Sequence, residues 1–226
     1  MQRHFDQELD VLKEKLLMMA SHAEGSVTKA IRALTERDDA LAREVKEEDS
    51  ILDQYEIEID EFAISLLALK APLATDLRLI TTAMKISHDL ERVGDESTTI
   101  ARRALELNQE PQLKPYIDIP RMAEMGLSML HDAISAFVSK ESLKARNVIP
   151  RDKDVDVLNK QLHRELVSFV IEDPTTITRA LNLMVISKSL ERIADHATNV
   201  AEEVVYLYEG RDIRHAKAAA AAPQNP

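Results

Sequence analysis

Two carboxylates four residues apart on a helix stand one above the other. This sequence places such pairs at Asp49/Asp53, Glu91/Asp95, Asp152/Asp156 and Glu191/Asp195. Stacked like charges weaken a helix by a few tenths of a kcal/mol unless something positive lies between them. A multivalent cation is the group that such rungs could hold. With 40 acidic residues among 226, roughly seven such pairs arise by chance, and most acid pairs are simply a solvated face. The number of pairs therefore decides nothing, whereas their placement does.

The stretch ISHDLERVGDESTTIARR, residues 86–103, recurs 100 positions later as ISKSLERIADHATNVAEE, with eight of 18 residues identical. Upstream, Asp49, Leu52, Asp53, Tyr55 and Ile59 align with Asp152, Val155, Asp156, Leu158 and Leu162 at a displacement of 103. Such register over two segments marks an internal duplication, and the difference of three falls in a connecting loop, where insertions are tolerated. The acid pairs occupy corresponding places in both halves while neighbouring surface residues diverge, as His88 to Lys188 and Arg102 to Glu202.

At 100° per residue, Ile86, Leu90, Val93, Ile100 and Ala101 form one apolar stripe, and Glu91, Asp95 and Thr98 lie to its side. In the preceding segment Asp49, Asp53, Glu56 and Asp60 run beside Leu52, Tyr55, Ile59, Phe62 and Leu66; Asp152, Asp156, Asn159 and His163 are their counterparts. If the two helices of each half pack antiparallel, four carboxylates converge on one exposed site per half. Oxygen donors without sulfur favour hard or intermediate cations such as Mg²⁺, Mn²⁺, Ca²⁺ or iron over a structural zinc site. The expected cofactor is a divalent or trivalent metal ion, with Mg, Mn, Fe and Zn as the set. Thr98 and Thr198 lie one turn from the acids, and His88, His196 and Asn199 stand at the edge, although isolated histidines are more often surface residues than ligands. Arg92 and Arg192 could orient the carboxylates, or form ordinary helix pairs such as Arg92 with Glu96.

The elements that must position these residues are all helices. Only four glycines, no tryptophan and 4% aromatics accompany abundant Ala, Leu, Glu and Lys, a composition of long helices. Breakers divide the chain into six segments: about 6–36, 38–70 with Asp38 as cap, 74–107, 120–138, a fifth that starts from a cap in SKES and reaches Ile171, and 175–208. Pro150 predicts a kink in the fifth. The fold class expected is all-α: two pseudo-symmetric three-helix repeats, 1–111 and 112–210, sharing a six-helix core, with a disordered tail at 211–226.

A net charge of −11 disfavours nucleic acid. The absence of cysteine excludes disulfides, thiolate metal sites and a catalytic thiol. No run of apolar residues suits a signal peptide or a membrane span, so a soluble, cytoplasmic protein is expected. There is no phosphate-binding glycine loop, no GxSxG and no HExxH. A ferritin-type di-metal carboxylate enzyme is the alternative, but it needs Glu-x-x-His twice, and Lys85, Ser128, Lys160 and Ile193 stand three residues before His88, His131, His163 and His196. A helical scaffold with acidic faces and no metal is a third reading.

Leu90-Glu91-Arg92-Val93-Gly94-Asp95, the segment from Leu190 to Glu202, Asp76-Leu77-Arg78 and the opening FDQELDVLKEKLLMMA together resemble the PhoU family of phosphate-transport regulators, over about residues 3–210. The resemblance implies a non-enzymatic regulator that binds metal through the acid motifs. It also implies an adaptor between the phosphate ABC transporter, through its ATPase, and the partner sensor histidine kinase, restraining the starvation response when phosphate is plentiful. A homodimer is the family-like expectation. Glu96 and Thr99 replace the family's histidine and asparagine in the first repeat, and the second keeps no DLR, so the two sites are expected to differ.

Overall fold

The computed structural model describes residues 2–70 and 72–214. Its elements are α1 (Gln2–Thr35), α2 (Asp39–Glu47), α3 (Asp49–Lys70), α4 (Ala74–Asn108), α5 (Asp118–Ser139), α6 (Ser142–Val148), α7 (Asp152–Glu172) and α8 (Ile177–Glu209). The described residues contain no strand. Two of the six expected segments are broken. The second interrupts at Glu48, between α2 and α3, and the fifth passes through a 3-10 turn at Ile149–Arg151. Pro150 sits in that turn, because proline has no N–H to donate and its ring crowds the preceding turn.

Local chemistry sets the ends. Asp38 accepts from the Ala40 and Leu41 N–H groups at 2.9 and 3.0 Å, satisfying donors that a helix start leaves unpaired. Asp173 does the same for Thr175 N, 3.0 Å away, ahead of α8. SKES behaves differently from expectation: α6 follows Glu141 without a side-chain cap, and Lys140, with φ 61°, instead terminates α5. Gly210 closes α8 at φ 65°, a left-handed conformation that costs glycine little.

The third helices of the two repeats, α4 and α8, form the centre and pack on each other; α1 and α3 flank α4, as α5 and α7 flank α8. Ile86, Leu90, Val93, Ile100 and Ala101 of α4 are fully buried, as are their counterparts Ile186, Leu190, Ile193, Val200 and Ala201. Lys85–Glu203, Asp89–His196 and Glu96–Arg192 pairs fix the two helices antiparallel. One continuous core results, built from both repeats. Beyond α8, Ile213 packs on this core and Arg214 donates to Glu203 at 2.7 Å. The remainder of the stretch expected to be disordered, 215–226, lies outside the described residues.

Candidate metal centre

The rungs on α3 and α4 face each other in antiparallel register. Thr98 Oγ1 donates to Asp49 Oδ1 at 2.9 Å at one end, and His88 Nδ1 lies 3.0 Å from Glu56 Oε1 towards the other. Asp53, Glu91 and Asp95 fall between. Close helix approach makes this convergence possible. A Cβ at Gly94 would lie 2.4 Å from Leu52 Cδ1, so glycine admits the leucine beside Asp95. In the second repeat the corresponding residues are Val155 and Ala194, both buried, with a smaller side chain on α7 where α8 carries the extra methyl.

The carboxylates sense one another. Burial, then the charges of Asp49, Asp95 and Glu56, raise the pKa of Asp53 above the ordinary aspartate value. Glu91 is likewise raised, by burial first and by Asp95 next, with Arg92 opposing. In the second repeat, burial, Asp152 and Glu191 push Asp195 up to about 6, Lys188 pulls it down, and Asp156 adds to the rise. Charge coupling thus links Asp53 with Asp49 and Asp95, and Glu91 with Asp95, in the first repeat, and Asp195 with Asp152, Glu191 and Asp156 in the second. Among the described residues no three of these eight acids place ligand atoms within 4.8 Å of one another, as Glu56, His88 and Glu91 do. The orientation is intermediate rather than fully outward, since the side chains of Glu91 and Glu191 are only 14% and 12% exposed.

Nearby cations neutralise part of this charge, differently in the two repeats. Arg92 reaches Glu91 at 3.3 Å and Asp95 at 2.9 Å, so the expected Arg92–Glu96 pair does not form. Glu96 is instead held by Arg192, across the repeat boundary, at 3.0 Å. Lys188 pairs with Glu191, and Lys160 lies 3.4 Å from Asp156. Among the described residues, Asp49, Asp53 and Asp195 have no lysine or arginine ion pair. His196 and Asn199 turn away from the second cluster to Asp89 of the first repeat, at 2.9 and 3.0 Å.

The donor set fits a cation that prefers oxygen. Buried Thr198 Oγ1 has no hydrogen-bond partner, although its counterpart Thr98 donates to Asp49. Glu91 Oε2 is buried and makes no hydrogen bond. Glu91 Oε2 has the Arg92 guanidinium 3.3 Å away as its countercharge, so Thr198 Oγ1, beside clustered negative charge, is the oxygen that a hard or intermediate ion would satisfy.

Two features escaped the sequence. The Glu56–His88 contact joins residues 32 apart in sequence; the local signal, His-x-x-Glu at 88–91, pairs His88 with Glu91 and not with Glu56. Buried Glu203, which accepts from both Lys85 and Arg214, had no signal, because neither partner is near it in helical spacing.

Comparison with known proteins converges on one family. The family model described as the PhoU domain matches residues 16–104 and again residues 119–204. The chain is 41% identical to the phosphate-specific transport system accessory protein PhoU homolog of Pseudomonas putida, over 94% of this chain and 84% of that protein. It is 43% identical to the protein of the same description from Aquifex aeolicus, over 92% and 94% of the two chains. The crystal structure of PhoU from Pseudomonas aeruginosa superposes with a TM-score of 0.89 at 40% identity, covering 92% of this chain and 100% of that one. The phosphate transport system regulatory protein PhoU from Streptococcus pneumoniae superposes at 0.87 and 31% identity, over 92% and 99%.

Proposed function

This chain belongs to the PhoU family, and from that premise we propose that it is a non-enzymatic, metal-binding regulator of phosphate uptake and phosphate-starvation signalling. Its relatives are described as accessory or regulatory proteins of phosphate transport. In this reading it is a cytoplasmic homodimer that links the phosphate ABC transporter's ATPase to the sensor histidine kinase and restrains signalling when phosphate is plentiful. No helix among the described residues is long and apolar enough to cross a membrane.

What supports the metal part is the charge coupling among carboxylates at equivalent places in the two repeats. Asp49, Asp53, Glu91 and Asp95 would hold one ion or cluster, and Asp152, Asp156, Glu191 and Asp195 another. A bound cation would supply positive charge that relieves their mutual repulsion and ties α3 to α4 and α7 to α8. Placement on the half-exposed flank of each helix pair, away from the apolar core, favours this role over ferritin-type chemistry inside a bundle.

Co-purification of the full chain with the kinase's cytoplasmic region and with the transporter's ATPase tests the adaptor role. Binding that weakens in chelator is expected, and no association with either partner in metal-replete buffer would overturn it. Elemental analysis tests the sites separately: a Glu91→Ala, Asp95→Ala, Glu191→Ala, Asp195→Ala variant should lose metal, and unchanged content would refute them.

A further inference from the structure

One rung of the ladder differs in kind between the repeats. On the first, Glu56 of α3 meets His88 and Glu91, one turn apart on α4, and one ligand atom of each lies within 4.8 Å of the others. A cleft of about 600 Å³ opens beside this rung, with Glu56, Asp60 and His88 in one wall and Lys85 and Arg214, both paired with Glu203, in the other. On the second, the counterparts are Asn159, Lys188 and Glu191. There the Lys188 ammonium rests on Glu191, and Asn159 Oδ1 accepts from the buried hydroxyl of Ser187 at 2.8 Å. The second repeat therefore carries its own cation at this level and fills the rest with neutral hydrogen bonds. The first repeat presents two carboxylates and an imidazole, with Arg92 as the cation within reach of Glu91.

We propose that Glu56, His88 and Glu91 form a mixed nitrogen–oxygen site for a borderline divalent ion of the Zn²⁺ or Co²⁺ kind, present in the first repeat and missing from the second. The proposal rests on reading the carboxylate clusters as cation sites, since Glu91 is common to both. Imidazole nitrogen shifts preference from Mg²⁺ and Ca²⁺ towards zinc and its neighbours, so His88 makes the first repeat the selective one. Three protein ligands leave coordination positions for water or a further donor, and Asp60 lines the same cleft. Binding through Nδ1, with the ring proton carried on Nε2, replaces the contact with Glu56 by shared coordination of the ion. An imidazole–carboxylate pair on the surface has a plainer role as a weak ion pair, which metal-bound spectra distinguish.

The experiment uses the full chain stripped by chelator and reloaded with one equivalent of Zn²⁺, read by X-ray absorption at the zinc edge. Competition titration gives the affinity, with Mg²⁺ in parallel. Histidine scattering is expected in the wild type and lost in His88→Ala, which should bind Zn²⁺ at least roughly tenfold more weakly while binding Mg²⁺ unchanged. The His88 side chain is 56% exposed, so its removal leaves folding intact. An Asp195→Asn, Glu191→Gln variant should retain the histidine signature. Zinc bound by oxygen alone, or His88→Ala with wild-type zinc affinity, overturns the mixed site while leaving the carboxylate clusters standing. Failure to bind zinc and magnesium alike overturns both.

Discussion

Replacing Asp195 by asparagine should stabilise the metal-free protein while weakening its hold on metal. Folding raises this carboxyl from 3.8 to about 6, chiefly through burial and then through Asp152 and Glu191. Unscreened, that rise corresponds to about 3 kcal/mol of penalty on the charged form. Asp195 is an exposed residue, so solvent screening leaves about 1–2 kcal/mol at most. Because folding raises the pKa, the penalty is present in full above about 6 and fades as pH falls towards the unfolded value. In chelator at pH 7.5, Asp195→Asn should raise the midpoint of thermal unfolding by about 3–6 °C, and the gain should shrink to a few tenths of a kcal/mol by pH 4. Saturating divalent metal should reverse the order, since ligand at 100 times its Kd adds about 2.7 kcal/mol to the wild type alone. Scanning calorimetry across pH, with and without metal, reads each part. An unchanged or lowered midpoint for Asp195→Asn in chelator at pH 7.5 would refute the crowded-charge account of this cluster.

Two further outcomes follow from the packing around the sites. Gly94→Ala should cost about 1–3 kcal/mol in urea denaturation, because its Cβ would meet Leu52 Cδ1 at 2.4 Å. Adding Leu52→Val should recover most of that loss, as the Val155 and Ala194 pair of the second repeat indicates; a strictly additive double variant would contradict the proposed contact. Glu203→Ala should cost about 1–2 kcal/mol with an unchanged denaturant slope, since Lys85 and Arg214 are 44% and 36% exposed and regain water once released. It should also speed proteolysis after Gly210, and wild-type cleavage rates would argue against Arg214 as an anchor.

Periodicity along the chain was enough to establish the all-helical class, the duplication and the buried stripe of α4, though not the break at Glu48 between α2 and α3, because each of the former depends on residues within a turn or two of one another or on a register that repeats. It also selected the four acid pairs, since i,i+4 spacing puts carboxylates together whatever surrounds them. The kink at Pro150 and the cap at Asp38 belong to the same local class. What only the tertiary structure decided was the assignment of countercharges. Arg92 and Arg192 occupy equivalent places in equivalent motifs, yet one turns to its own acids and the other crosses to Glu96. His196 and Asn199 sit beside the second motif in sequence and bind Asp89 of the first. Long flexible side chains reach several ångströms beyond their own helix, so their partners are chosen by which helix lies alongside. The antiparallel contact of α4 with α8, a property of the closed core, made that choice, and the rung shared by Glu56, His88 and Glu91 arises in the same way from the close approach of α3 to α4.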